Sequence, residues 1–149
     1  MAGLYFEEFS VGQTVTTLSR TVGEDAINNF AGLTGDYNQI HTDAEFAKTT
    51  PFGQRIAHGL LGLSIATGLI MRTGMLEGTV IAFREIQEWK FVKPIFIGDT
   101  IHAVLTVSET KAMPRIGGGA LISQVEVRNQ SNDVLQKGTL NLLVLSKPK

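Results

Sequence analysis

The feature that most constrains the fold is a largely apolar segment near the middle of the chain, at residues 57–72, with the sequence AHGLLGLSIATGLIMR. Its apolar residues point in most directions around a helical axis, and a helix of that kind must be covered on nearly all sides. A pair of buried strands is the alternative, but the length of the segment and its small residues favour one helix. A membrane span needs about 20 apolar residues, which is more than this segment offers.

Downstream of the predicted helix, the hydrophobic pattern changes to the alternation that is typical of strands. Strands are predicted at residues 79–83, 88–93, 100–109, 121–130 and 134–146, and turns rich in Gly, Asn and Asp separate several of them. Strands that follow one another through short turns pair antiparallel. The pattern therefore favours an α+β domain in which an antiparallel sheet curves around the buried helix.

The residues before the apolar segment predict three shorter elements. Residues 15–19 favour a strand, and Glu24 begins a helix that Gly35 can end in the left-handed conformation. From Gly35 to His41 the chain is a polar loop, and Asp43 or its predecessor can cap a short helix after it. No repeat and no linker divides the chain, so we expect a single domain over residues 1–149.

The composition excludes several classes of function. The 149 residues contain no Cys, which excludes disulfides, thiol nucleophiles and Cys-ligated zinc. Thirteen basic against fourteen acidic side chains give a net charge of −1, so no basic excess points to a nucleic acid or an anionic membrane as partner. The first residues lack the basic start and the apolar run of a signal peptide, and we expect a cytoplasmic protein.

The polar loop holds a group of residues that can carry chemistry, namely Asp36, Asn38 and His41. An Asp and a His five residues apart on an irregular loop can converge on one point, hold a water molecule and move its protons. With no Ser or Cys nucleophile beside them, they favour addition or removal of water over acyl transfer. The same residue types are typical of turns, and the pattern leaves both interpretations open. His41, Asp43 and His58 show no repeated ligand spacing, so we predict no metal site.

A second candidate feature is the dipeptide His58-Gly59 at the expected start of the buried helix. The free N–H groups at a helix N-terminus attract negative charge, and Gly59 has no side chain to keep a ligand oxygen away. Gly59 is therefore a candidate oxyanion donor. A packing glycine beneath a sheet is the equal alternative.

The apolar residues of the predicted strands also favour an oligomer. They exceed what one face of a small sheet can hide, and exposed apolar area of that extent usually marks an interface. The residues concerned are Val125, Val127, Leu140, Leu142 and Val144. The aromatic residues Trp89 and Phe91 are expected to pack against other side chains.

Several motifs carry a family resemblance that runs in order through most of the chain. They are FAGLTGDYNQIHTD at 30–43, PFG at 51–53, IAHGLL at 56–61, WKFVKP at 89–94 and GDT at 98–100. Together they resemble the hydratase signature of the MaoC-like family, which includes the (R)-specific enoyl-CoA hydratases. That family often has Pro where this chain has Gln39, and Gln leaves the loop freer because it does not fix φ.

The resemblance implies a hotdog fold, in which an antiparallel sheet wraps around a long central helix, and a homodimer or higher homo-oligomer. It implies (R)-specific hydration of a 2-enoyl thioester of coenzyme A or of acyl carrier protein, or the reverse dehydration. The implied reaction requires no metal and no redox cofactor. The alternatives are a hotdog thioesterase and a non-catalytic subunit that binds acyl thioesters.

The resemblance also implies roles for individual residues. Asp36 and His41 become the catalytic pair, and Gly59 becomes the backbone donor to the thioester carbonyl. A second group of residues is expected to bind or orient the substrate, namely Tyr37, Asn38 and His58.

Overall fold

A computed structural model describes residues 2–149 of the chain. Within these residues the helices are α1 (Glu24–Thr34), α2 (Gln39–Thr42), α3 (Ala44–Ala47) and α4 (Gly59–Met71). The strands are β1 (Thr14–Thr16), β2 (Arg20–Thr21), β3 (Val80–Phe91), β4 (Thr100–Met113), β5 (Gly118–Arg128) and β6 (Val134–Leu145). Short 3-10 turns lie at Phe6–Glu8 and Pro114–Ile116.

The strands form an antiparallel sheet in the order β1-β4-β5-β6-β3, and β2 also pairs with β4. The long central strands alternate between buried and more exposed residues, as the sequence predicts. Helix α4 packs against β4 and β5, and the core lies between this helix and the sheet. The expected helix wrapped by an antiparallel sheet is therefore confirmed.

Helix α4 is the predicted central helix, but one stripe of it is uncovered. Leu60, Ser64 and Gly68, four residues apart, lie on the exposed side, whereas most of the helix is buried. A spacing of four places residues one above the other on a helix, so these three define one face. Among residues 2–149, no helix has both the length and the apolar character that crossing a membrane requires.

The elements before α4 follow the sequence pattern with one difference. Helix α1 begins at Glu24 and ends at Gly35, which has a φ of 79°, and Asp43 caps α3. The predicted strand at 15–19 is shorter and lies earlier, at β1. The expected loop up to His41 is wrong in its second half, because Asn38 caps the additional short helix α2.

Strand β3 contradicts the prediction of two separate strands at 79–83 and 88–93. It is continuous because irregularities in its pairing with β6 absorb the residues that break the alternation. One irregularity lies between Gln87 and Lys90, where Trp89 turns toward the core. The prediction that Phe91 packs is confirmed only in part, because the residue is 54% exposed while its ring lies against Gly59.

The exposed apolar area that favours an oligomer is not on the strands where the sequence predicts it. The five apolar strand residues that prompted this expectation, Val125, Val127, Leu140, Leu142 and Val144, are all buried within one copy of the chain. The edge strand β3 instead exposes a group of apolar side chains, at Val80, Ile81, Phe83, Ile86 and Phe91.

Candidate active site

Two successive hydrogen bonds from backbone N–H groups to side-chain oxygens shape the loop after α1. Asp36 Oδ1 accepts a hydrogen bond from the Asn38 N–H, and Asn38 Oδ1 accepts one from the Ile40 N–H, both at 3.1 Å. Each is an Asx turn, in which the side chain bonds to the backbone two residues further on. The interpretation of these residues as turn formers is therefore correct. It does not compete with catalysis, because Asp36 has a second carboxylate oxygen.

His41, which lies in α2 at the end of this loop, is hydrogen-bonded to the segment that precedes α4. His41 Nδ1 lies 2.8 Å from the carbonyl oxygen of Ile56. Because a carbonyl oxygen only accepts, Nδ1 carries the proton, and Nε2 of the neutral ring presents a lone pair. The tautomer that suits a general base is thus fixed by a backbone contact.

Arg55 ties the same loop to helix α1. Its Nε donates to the carbonyl oxygen of His41 at 2.6 Å, and its guanidinium donates to Glu24 at 2.6 Å and to the Asn28 side chain at 2.9 Å. Arg55 is only 9% exposed. A buried guanidinium with three partners fixes the loop in position as well as in shape.

His58 supports the loop from its buried side. It is 2% exposed, and its Nε2–H donates to the carbonyl oxygen of Asp36 at 2.9 Å. Its ring stacks on that of His41 with centroids 3.9 Å apart, and the ring of Phe30 meets it edge-on at 4.9 Å. His58 therefore contacts both members of the predicted pair and immediately precedes Gly59.

One carboxylate oxygen of Asp36 and one ring nitrogen each of His41 and His58 lie within 4.8 Å of one another. Burial lowers the pKa of His41 below 6.5, as do the nearby His58 and Arg55, while the bond to Ile56 and the charge of Asp36 act in the opposite direction. His41 is thus neutral at pH 7.

His41 and Gly59 open onto the same cavity, which has a volume of about 490 Å³. Apolar side chains line much of it, among them Phe52, Leu60 and Phe91. Gly59 is the first residue of α4, so its N–H has no partner within the helix. A Cβ at this position would lie 2.7 Å from the Phe91 ring. Gly59 therefore lets the Phe91 ring pack closely against the helix, and its N–H is available as a hydrogen-bond donor.

The remaining predicted residues, Asp36 included, lie outside the cavity lining, and Asp36 is near the cavity only through its carboxylate oxygen beside the two histidine rings. Asn38 caps α2, and Tyr37 is 62% exposed. His58 supports the loop from its buried side. Sequence reasoning missed Arg55. The available signal is a charged residue in the segment that leads directly into the buried helix α4. It also missed Gln136, a buried residue of β6 that lines the cavity and that no local pattern singles out.

Comparison with known structures identifies the architecture first. A Mycobacterium tuberculosis protein described as having a double hotdog fold matches with a TM-score of 0.85 at 17% identity, over 99% of this chain and 46% of that one. This likeness confirms the hotdog fold alone. The chain belongs to the MaoC-like domain family, which matches residues 7–129.

The chain is also similar to several named proteins. The (R)-specific enoyl-CoA hydratase of Rhodospirillum rubrum is 36% identical over 104 residues, covering 70% of this chain and 69% of the relative. Protein MaoC of Klebsiella aerogenes is 39% identical over 102 residues, covering 68% of this chain and 30% of the relative. The chain thus spans less than a third of Protein MaoC. A structure described as the monoamine oxidase regulatory protein from Archaeoglobus fulgius is 38% identical with a TM-score of 0.91, covering 99% of this chain and 98% of that one.

Proposed function

We propose that the chain adds water to a 2-enoyl thioester to form an (R)-3-hydroxyacyl thioester, or catalyses the reverse dehydration. The observation that carries the proposal is that His41 and Gly59 line one apolar cavity, that the Gly59 N–H has no partner within α4, and that Asp36 lies beside His41. The relative in Rhodospirillum rubrum bears the name of this reaction, which supports the proposal.

In the proposed step, Asp36 and the neutral His41 hold a water molecule beside the cavity. The water oxygen bonds to the β-carbon of the enoyl group, and one of its protons passes to the pair. The electrons of the double bond move toward the thioester oxygen, where the Gly59 N–H and the N-terminal end of α4 stabilise the enolate. A proton delivered to the α-carbon completes the product. Since no electrons are gained or lost, the step needs no redox cofactor.

The substrate is proposed to be a thioester of coenzyme A or of acyl carrier protein. The apolar cavity provides room for an acyl chain next to the reacting groups. Asn38 is proposed to act indirectly, by shaping the loop that carries Asp36. Tyr37 and His58 are proposed to act in the same indirect way, because the Tyr37 carbonyl accepts a hydrogen bond from the Thr42 hydroxyl and His58 donates one to the Asp36 carbonyl.

We also propose a homodimer or higher homo-oligomer that forms through β3. This strand lies at the edge of the sheet, where its unpaired backbone groups can bond to another strand, and it exposes several apolar side chains. Light scattering at micromolar concentration should report at least twice the chain mass of 16.2 kDa. A stable monomer would contradict this assembly.

Incubation with crotonyl-CoA tests the reaction directly. Hydration removes the absorbance of the conjugated enoyl group without releasing free thiol. Release of thiol would instead indicate a thioesterase. Binding without either change would indicate a non-catalytic subunit.

A further inference from the structure

A buried glutamine reaches the residue that carries the proposed oxyanion donor. Gln136 is 1% exposed, and its Nε2–H donates to the carbonyl oxygen of Gly59 at 3.0 Å. Its Oε1 accepts a hydrogen bond from the Trp89 Nε1–H at 3.3 Å. Burying an amide is costly unless both ends are paired, and here each end has a partner. The three residues form a continuous path from β3 through β6 to α4.

Two glycines make room for this path. At Gly62, one turn further along α4, a Cβ would lie 2.5 Å from Gln136 Nε2. At Gly138, next to Trp89, a Cβ would lie 2.6 Å from the indole ring. Any larger residue at either position would displace a member of the path.

The backbone of β3 is also distorted at this place. Glu88 has a φ of 52°, a left-handed conformation that is unfavourable for residues other than glycine. It lies in the pairing irregularity before Lys90, and Trp89 is the one residue of β3 that is not exposed. The distortion therefore turns the indole inward, toward Gln136.

We propose that Gln136 and Trp89 are positioning residues that fix the orientation of Gly59 at the start of α4, so that its N–H is held toward the cavity. A glycine has more backbone freedom than any other residue, and a donor must be held close to its productive geometry to stabilise an enolate. The bond to the Gly59 carbonyl supplies the restraint that a side chain would otherwise provide. This inference rests on the proposed function.

The kinetic test removes each hydrogen bond while keeping side-chain volume. Gln136→Met has a similar length and cannot pair with Gly59 or Trp89. Its kcat for crotonyl-CoA should fall about tenfold, with KM changed less than about threefold, because misplacement of a reacting group affects mainly the transition state. Trp89→Phe loses only the N–H that holds Gln136, and its kcat should fall by a smaller factor. The control is Gln124→Met on β5, which loses a hydrogen bond to Thr139 and should keep wild-type kcat.

A second measurement does not depend on turnover. In ¹⁵N-labelled protein, saturating butyryl-CoA should shift the Gly59 amide resonance, and Gln136→Met should shrink that shift to less than half. The Gln124→Met control should retain the full shift. If Gln136→Met does not fold, Trp89→Phe decides the inference by the same two readouts.

The possible outcomes separate this inference from the proposed function. A wild-type Gly59 shift without turnover of crotonyl-CoA overturns the proposed function alone. An absent wild-type shift, or a folded Gln136→Met protein with wild-type kcat and a full shift, overturns the inference. A rise in KM with unchanged kcat also overturns it, because that pattern indicates a general binding role.

Discussion

The two sides of the cavity are built in different ways. The loop with Asp36 and His41 owes its shape to Asx turns between residues two apart in sequence. The Gly59 side depends on Gln136, which lies 77 residues away, and through it on Trp89. Local hydrogen bonds thus shape the proposed proton-transfer side, whereas tertiary contacts between distant strands shape the proposed oxyanion side.

The two sides of the cavity meet at His58. His58 contacts the loop through its side chain and begins α4 through its backbone. The loop keeps its shape by local contacts but takes its position from Arg55, Ile56 and His58. A substitution in the loop should therefore change chemistry with little effect on the fold, and a substitution in the supports should change both.

The largest expected effect comes from Asp36→Asn. The amide oxygen of Asn can still accept the bond from the Asn38 N–H, so the loop should keep its shape. The variant loses a carboxylate that holds or moves a proton, which typically costs about 10²–10⁴ in rate. Stopped-flow turnover of crotonyl-CoA measures the loss, and circular dichroism checks the fold. More than half of wild-type turnover in a folded variant would remove Asp36 from the proposed mechanism.

The second largest expected effect is the loss of the Gly59 N–H. Two variants separate the effect of losing this donor from the effect of crowding by a larger residue. Gly59→Pro deletes the N–H at the first helical position, where Pro is tolerated, and should lower kcat by about 10²–10³. Gly59→Ala adds a Cβ that also meets the Phe91 ring but keeps the N–H, so it should lose much less. Equal kcat values for the two variants would show that crowding, and not the donor, is responsible.

Arg55→Lys tests how much the loop with Asp36 and His41 depends on the hydrogen bonds that Arg55 makes to it and to α1. An ammonium group cannot satisfy the three partners of the guanidinium, so the free energy of unfolding should fall by about 2–3 kcal/mol. Lys48→Ala is the control, because its exposed ion pair with Glu45 should contribute less than about 1 kcal/mol. Urea denaturation gives both values. If the free energy of unfolding falls no more in Arg55→Lys than in the control, the local hydrogen bonds of the loop are enough to hold it in place.

The smallest expected effect is a pH dependence that follows from the lowered pKa of His41. The unfolded chain binds a proton near pH 6.5 and the folded protein only at lower pH, so stability should fall as the pH drops through 6.5. The acid limb of kcat/KM should correspondingly lie below 6.5. His41→Asn can keep the hydrogen bond to Ile56 but cannot titrate, and it should lose this part of the stability change. An acid limb above 6.5 would contradict the assignment of His41 as a neutral base.

The same division explains what could be predicted from the sequence. Asp36, His41 and Gly59 stand out because turn formers, a helix start and a polar loop are visible within a few neighbouring residues. Gln136 cannot be found in this way, because its role depends on which strands become neighbours. The inward turn of Trp89 depends on a pairing irregularity, and the same local geometry leaves Phe91 packed only in part.

The glycines of α4 have a practical consequence for stabilising the protein. Replacing a helical glycine by alanine is a common engineering strategy, since glycine costs a helix about 1 kcal/mol relative to alanine. At Gly62 the added methyl group would collide with Gln136 and Ile95, whereas at Gly68 it would meet no atom within 4 Å. Gly68→Ala should therefore raise the melting temperature, and Gly62→Ala should lower it. Of these two glycines, only Gly68 can be exchanged to make the central helix more robust.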